Sequence, residues 1–127
     1  FNTAIAINSD NIETISARGT YFLLGEQLEK AKNDFLTITR KDRQHSNSFF
    51  NLGLIYLEQD SIAKANQMFN ITLQTNPIFM KAYYYRGYSH ELLGRNKLAL
   101  SDYQQVARHD PDYKDVSDRI SRLNPDG

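Results

Sequence analysis

Apolar and small residues recur along this chain at spacings of three, four and seven, in stretches separated by turn-forming residues. The first members of the pattern are Ile15, Gly19 and Phe22, then Phe49, Leu52, Gly53 and Tyr56, then Tyr83, Gly87 and His90. Between them lie Leu28, Ala31, Phe35 and Ile38, then Ile62, Ala65, Phe69 and Leu73, then Ala99, Tyr103 and Val106. Such spacing puts one packed stripe on a helix, so the pattern predicts six helices in alternation. Breaks fall at Gly25-Glu26, Gln59-Asp60-Ser61 and Gly94-Arg95-Asn96, where Gly and Asn tolerate the left-handed conformation that ends helices and Asp or Ser caps the next one. Asn76-Pro77 and Asp110-Pro111 stop the second helix of a pair, because proline disfavours helix in the residue before it. A last stripe, Val116, Ile120 and Leu123, sits beside Asp115, Asp118, Arg119 and Arg122 and predicts a final helix with one apolar face.

The pattern repeats with a fixed period. Gly19, Gly53 and Gly87 lie 34 residues apart, and so do Ala31, Ala65 and Ala99, the aromatics Phe1, Phe35, Phe69 and Tyr103, and the prolines Pro77 and Pro111. Glycine inside a helix costs about 1 kcal/mol relative to alanine, so its recurrence in phase implies a packing constraint where two helices cross. Gly on one helix and Ala on the other permit close approach.

A 34-residue unit of two helices resembles the tetratricopeptide repeat family. The motif is carried best by Phe49, Leu52-Gly53, Tyr56, Ala65, Phe69 and Pro77, then by Tyr83, Gly87, Ala99, Tyr103 and Pro111, and by Ile15, Gly19, Phe22, Ala31 and Phe35. Departures are Arg18 and Arg86 in a column usually filled by a large aliphatic, His90 for an aromatic or leucine, and Arg43 for the proline. The two arginines are expected to lay their stems on apolar surface and send their heads to water. The resemblance implies an all-α fold, a right-handed α-solenoid of antiparallel helix pairs, with repeats at 12–45, 46–79 and 80–113 and a capping helix at 114–124. Phe1 and Ala4 sit one period before Phe35 and Ile38, so residues 1–9 are expected to be the tail of a truncated preceding repeat.

Composition narrows the function classes. Fifteen basic and fifteen acidic side chains cancel, which gives no electrostatic pull toward nucleic acid or anionic membrane. No apolar run approaches the roughly 20 residues that span a bilayer, so no direct membrane insertion is expected. Cysteine is absent, which excludes disulfides and thiolate metal sites. His90-Glu91 begins like a zinc-protease motif, but Gly94 stands where the second ligand would be. His45, His90 and His109 are scattered, no glycine-rich phosphate loop occurs, and His90 lies on a packed stripe where a satisfied buried histidine is expected. The basic run Arg40, Lys41, Arg43 fits a helix C-terminus and its dipole. Neither a catalytic residue, a metal ligand nor a cofactor is assigned.

The tyrosines carry the functional question. With roughly 100° per residue, and Tyr83 on the packed stripe, Tyr84, Tyr85 and Tyr88 fall on the other side of their helix. In the family that side of each first helix lines a concave groove. The resemblance therefore makes Asn47, Phe50, Asn51, Leu54, Lys81, Tyr84, Tyr85 and Tyr88 the candidate groove residues, with Tyr88 facing it squarely and Tyr84 and Tyr85 at its edges, where packing against a neighbouring first helix or the capping helix is the alternative. A subset of the family clamps a C-terminal carboxylate with Lys/Asn/Asn/Lys/Arg. Here Asn51 and Lys81 match while Ser16, Thr20 and Tyr85 do not, which disfavours that ligand. The expected function is a non-catalytic scaffold that binds a protein or peptide by shape and aromatic burial. The alternative is a structural spacer in a larger protein, with self-association through the open N-terminal end.

Overall fold

The computed structural model describes residues 11–124. The segment 1–9, expected to be the tail of a preceding repeat, lies outside the described residues. Seven helices follow one another: α1 (Ile12–Leu24), α2 (Leu28–Lys41), α3 (Ser46–Glu58), α4 (Ile62–Thr75), α5 (Met80–Leu92), α6 (Asn96–His109) and α7 (Val116–Leu123). Each packs chiefly on the next in sequence, and α3 also touches α5.

Local chemistry sets the helix ends, and it repeats with the sequence. The Asn11 side chain accepts from the N–H groups of Glu13 and Thr14 and starts α1. The turns inside the pairs place Glu26 (φ 61°), Asp60 (φ 60°) and Gly94 (φ 78°) in the left-handed region, one period apart. The next residue in each case, Gln27, Ser61 and Arg95, returns its N–H over 2.8 Å to the carbonyl of Phe22, Tyr56 and His90 respectively, which is the Schellman closure. Gly25 keeps φ at −86°, so in the first turn the strained position falls on Glu26 rather than on the glycine that the sequence offers. The second helices end on a side-chain turn. Asp42, Asn76 and Asp110 each accept the N–H two residues on, at 2.9, 3.3 and 3.1 Å. That turn forms whether Pro or Arg43 follows.

The core consists of three clusters, and each is closed by a residue from the next unit. Ile15, Ala31, Phe35 and Ile38 are sealed by Leu52 and Ile55 of α3. Phe50, Ala65, Phe69 and Leu73 are sealed by Ala82 of α5. Tyr84, Ala99, Tyr103 and Val106 are sealed by Val116 of α7. Val116 stands 34 residues after Ala82, so α7 takes the place of a further first helix and covers what would be an open apolar edge.

Within each pair the aromatic of the second helix lies against the glycine of the first. A Cβ on Gly53 would lie 2.4 Å from the Phe69 ring, and one on Gly19 or Gly87 would lie 3.0 Å from Phe35 or Tyr103. A second link is charged. Arg18 gives a two-pronged bond to Asp34, and Arg86 does the same to Asp102 at 2.9 and 2.7 Å. Both carboxylates are buried. The guanidinium heads therefore point into the pair and not to water, which corrects the expectation from the sequence. Burying an aspartate without a partner would be prohibitive, and the planar fork of arginine supplies that partner. The middle pair carries Leu52 and Met68 at the same two positions, an apolar contact in place of the ionic one.

A polar seam joins the second and third pairs. Asn66 of α4 donates to Ser89 Oγ at 2.8 Å and faces His90 Nδ1 at 3.3 Å. His90 Nε2 lies 3.8 Å from Asp102, and Arg86 reaches back to Asn70 at 3.1 Å. Among the described residues no buried side-chain nitrogen or oxygen is left without a hydrogen bond.

Two measurements test this packing. Gly53→Ala should lower stability by about 1–2 kcal/mol in urea unfolding, the cost of overpacking exceeding the gain in helix propensity, while Gly87→Ala should change it by less than about 1 kcal/mol. Equal shifts for the two variants would contradict the close contact at Phe69. Burial pulls the His90 imidazole below its ordinary 6.5, with Asp102 opposing and Arg86 and Arg95 reinforcing the shift. The unfolded chain then binds the proton better, so this contribution is complete above about pH 6.5 and is lost as pH falls through the folded value. Stability should decline as the pH falls below about 6.5, and His90→Gln should flatten the decline. The same slope in both proteins would exclude His90 as its source.

Candidate functional site

One grouping has the residue types of a catalytic site. Ser89, His90 and Asp102 come together in the seam described above, all three buried. The Ser89 hydroxyl donates to the Arg86 carbonyl at 2.7 Å and accepts from Asn66, so it is not aimed at the histidine. This grouping holds two helix pairs together. Among the described residues no cluster of His, Asp or Glu could hold a metal ion, and no helix is long and apolar enough to cross a membrane.

The concave side carries a groove of about 450 Å³ that draws on all three pairs. Its lining is Leu23, Glu26 and Leu28 from the first pair, Leu54, Leu57 and Glu58 from α3, and Tyr85 and Tyr88 from α5. The walls are apolar, and the charges lie at the rim. Helical geometry produces this lining. Leu54 and Tyr88 are the same position of successive units, and Leu57 and Glu58 follow Leu54 by three and four residues on α3.

Tyr85 forms the floor at the third pair. Its ring lies 5.7 Å from Phe50, 6.2 Å from Phe69 and 5.2 Å from Tyr84, so one side is core and the other faces outward. The segment before α7 closes this end. The Tyr84 hydroxyl donates to Asp115 at 2.5 Å, and the Tyr84 ring lies 5.3 Å from Tyr113. Burial first, and the Asp115 bond second, push the Tyr84 phenol up to about 12. The same bond, helped by Arg119, holds the Asp115 carboxyl below its ordinary range. Lys114, left-handed at φ 47° between these two anchors, has its ammonium 5.8 Å from the centre of the Tyr85 ring. Arg119 binds Glu91 at 3.0 Å and lies 5.0 Å over the Tyr88 ring, while Tyr103 donates to Glu91 at 2.8 Å.

The candidate residues read from the sequence therefore divide. Leu54, Tyr85 and Tyr88 line the groove together. Phe50 and Tyr84 do not, being 7% and 6% exposed, and this corrects their placement. Their column points along the solenoid toward the next unit. Phe50 packs on Phe79, and Tyr84 on Tyr113 one period later. Asn47 lines a separate polar cleft of about 280 Å³ with Asp42, His45 and Asn76. Lys81 lines a small one of about 100 Å³ beside Tyr113 and His109. Asn51 is half-buried outside all three. Tyr83, placed in the core by its stripe, is half-buried, with its hydroxyl on the Pro77 carbonyl and Arg86 over its ring. The sequence reading missed Leu23, Glu26, Leu28 and Leu57. Leu23 and Leu57 are one column, next to a column already assigned to the groove, and that adjacency was the available signal.

Comparison with known proteins bears on this architecture. Residues 80–113 match the tetratricopeptide repeat family. The chain is 28% identical over 112 residues to a UDP-N-acetylglucosamine–peptide N-acetylglucosaminyltransferase of Giardia intestinalis, across 88% of this chain and 8% of that protein's length. The tetratricopeptide domain of Arabidopsis OM64 superimposes with a TM-score of 0.83 at 24% identity, covering 89% of this chain and 93% of that one. The first such domain of Spaghetti (RPAP3), solved with the HSP90 peptide SRMEEVD, gives 0.84 at 18% identity and covers 91% of each chain. The fold is that of a tetratricopeptide-repeat solenoid, an all-α right-handed superhelix whose described residues form three helix pairs and a capping helix.

Proposed function

We propose that this chain is a non-catalytic interaction module that holds an apolar segment of a partner protein in its concave groove. One observation carries the reading. Leucines and tyrosines from all three helix pairs converge on a single groove, in a molecule whose other apolar positions mostly seal one unit onto the next. Tyrosine and leucine side chains on rigid helices offer contact area at small entropic cost, and the tyrosine hydroxyls supply hydrogen bonds. The solved Spaghetti domain with its bound peptide supports the use of this fold to hold a peptide. The transferase relative is matched over 8% of its length, so its activity is not carried across.

Peptides selected from a random display library on the immobilised protein test this reading. Tyr88→Ala should weaken their binding by about 30-fold, as expected for an aromatic anchor, with the unfolding midpoint nearly unchanged. Equal affinity for both proteins would sink the groove reading.

A further inference from the structure

The groove is charged unevenly along its length. Glu26 and Glu58 are the charged residues that line it, and both are exposed. Neither carboxylate has a cationic side chain within ion-pair distance among the described residues. Glu26 is fixed in the left-handed turn after α1, and Glu58 is the last residue of α3, so both stand at the ends of the first helices of pairs one and two. The opposite end is cationic. Lys114 lies over Tyr85 and Arg119 over Tyr88. Arg119 is neutralised by Glu91 and Asp115. Lys114 has no carboxylate within ion-pair distance among the described residues.

We propose that the segment this groove accepts carries apolar anchors for Leu54, Leu57, Tyr85 and Tyr88 and a lysine or arginine beside them, directed at Glu26 and Glu58. The proposal rests on the groove reading above. Charge complementarity decides the partner's chemistry and its direction. A cation at the acidic rim gains from two carboxylates that no cationic side chain pairs with among the described residues. The same segment reversed would bring that cation to Lys114, and like charges brought together disfavour the wrong orientation. Lys114 is well placed for this discrimination. Its two neighbours are both anchored to Tyr84, Tyr113 by ring contact and Asp115 by a hydrogen bond, which fixes the backbone from which Lys114 reaches the Tyr85 ring. Rim charges of this kind act more through encounter rate and selectivity than through depth of binding, which sets the size of the expected effect.

The test is selection of random 12-residue displayed peptides on the whole chain, repeated on Tyr88→Ala and on the double variant Glu26→Gln/Glu58→Gln. The proposal expects peptides that are lost on Tyr88→Ala and are enriched in Lys or Arg to one side of Leu, Phe or Trp. A synthetic copy of one should bind about two- to five-fold more weakly for each carboxylate neutralised. Raising the salt should weaken its binding to wild type more than to the double variant. Peptides that are lost on Tyr88→Ala but show no basic enrichment, or an acidic one, would overturn the charge proposal and leave the groove reading intact. Equal affinity for wild type and the double variant would do the same. A selection that yields no peptide sensitive to Tyr88→Ala would overturn both.

Discussion

The contact on which the rest of this molecule depends is a ring lying against bare backbone. Phe35, Phe69 and Tyr103 press on Gly19, Gly53 and Gly87, where the second gap has no room for even a methyl group. A helix pair closed that tightly has few ways to vary its crossing, so each unit hands nearly the same geometry to the next. The period of 34 in the sequence thereby becomes a period in space, and the columns of side chains line up along the solenoid. The ionic link between Arg18 and Asp34, repeated at Arg86 and Asp102, crosses the same pairs and is replaced by Leu52 and Met68 in the middle one. Charge is therefore one of two solutions to filling that crossing, and the glycine is common to all three units.

The proposed function follows from what this packing leaves uncovered. A middle first helix such as α3 is enclosed by its own partner α4, by the preceding helix α2 and by the next first helix α5. Its fourth side is the one that presents Leu54, Leu57 and Glu58. With α5 the fourth side is narrowed further, because α7 and the loop before it lean over Tyr85 and Tyr88. The capping segment thus does two things. Val116 seals the last core cluster, and Lys114 and Arg119 shape the end of the groove. Stability and the proposed recognition meet in this one capping segment.

The repeat was legible in the sequence because close packing writes itself as residue size. Glycine, alanine and aromatic columns recur in phase, and the turn residues recur with them. The groove was only partly legible. A helical wheel gives the side opposite the core as a half-circle, but a solenoid also consumes the sector that faces the next unit. Phe50 and Tyr84 fall in that sector and are buried, while Leu54 and Tyr88 fall beyond it. The arginines misled for a different reason. A charged residue in an apolar column reads as snorkelling unless its partner is sought, yet Asp34 and Asp102 stand sixteen residues after Arg18 and Arg86, and Met68 replaces the aspartate in the unit where Leu52 replaces the arginine. That paired exchange was visible in the single chain. The turn at Glu26 could not be read, since Gly25 offered the less strained choice and the closing hydrogen bonds fixed the position instead.

The central claim is that the concave side between Leu54 and Tyr88 is where this module meets its partner. Chemical-shift mapping with a peptide selected on the protein tests it most directly. The account predicts saturable shifts centred on Leu54, Leu57, Tyr85 and Tyr88, with Gln67 and Gln104 of the second helices unmoved. Shifts centred on those second helices, or on the α1 face around Tyr21, would contradict it.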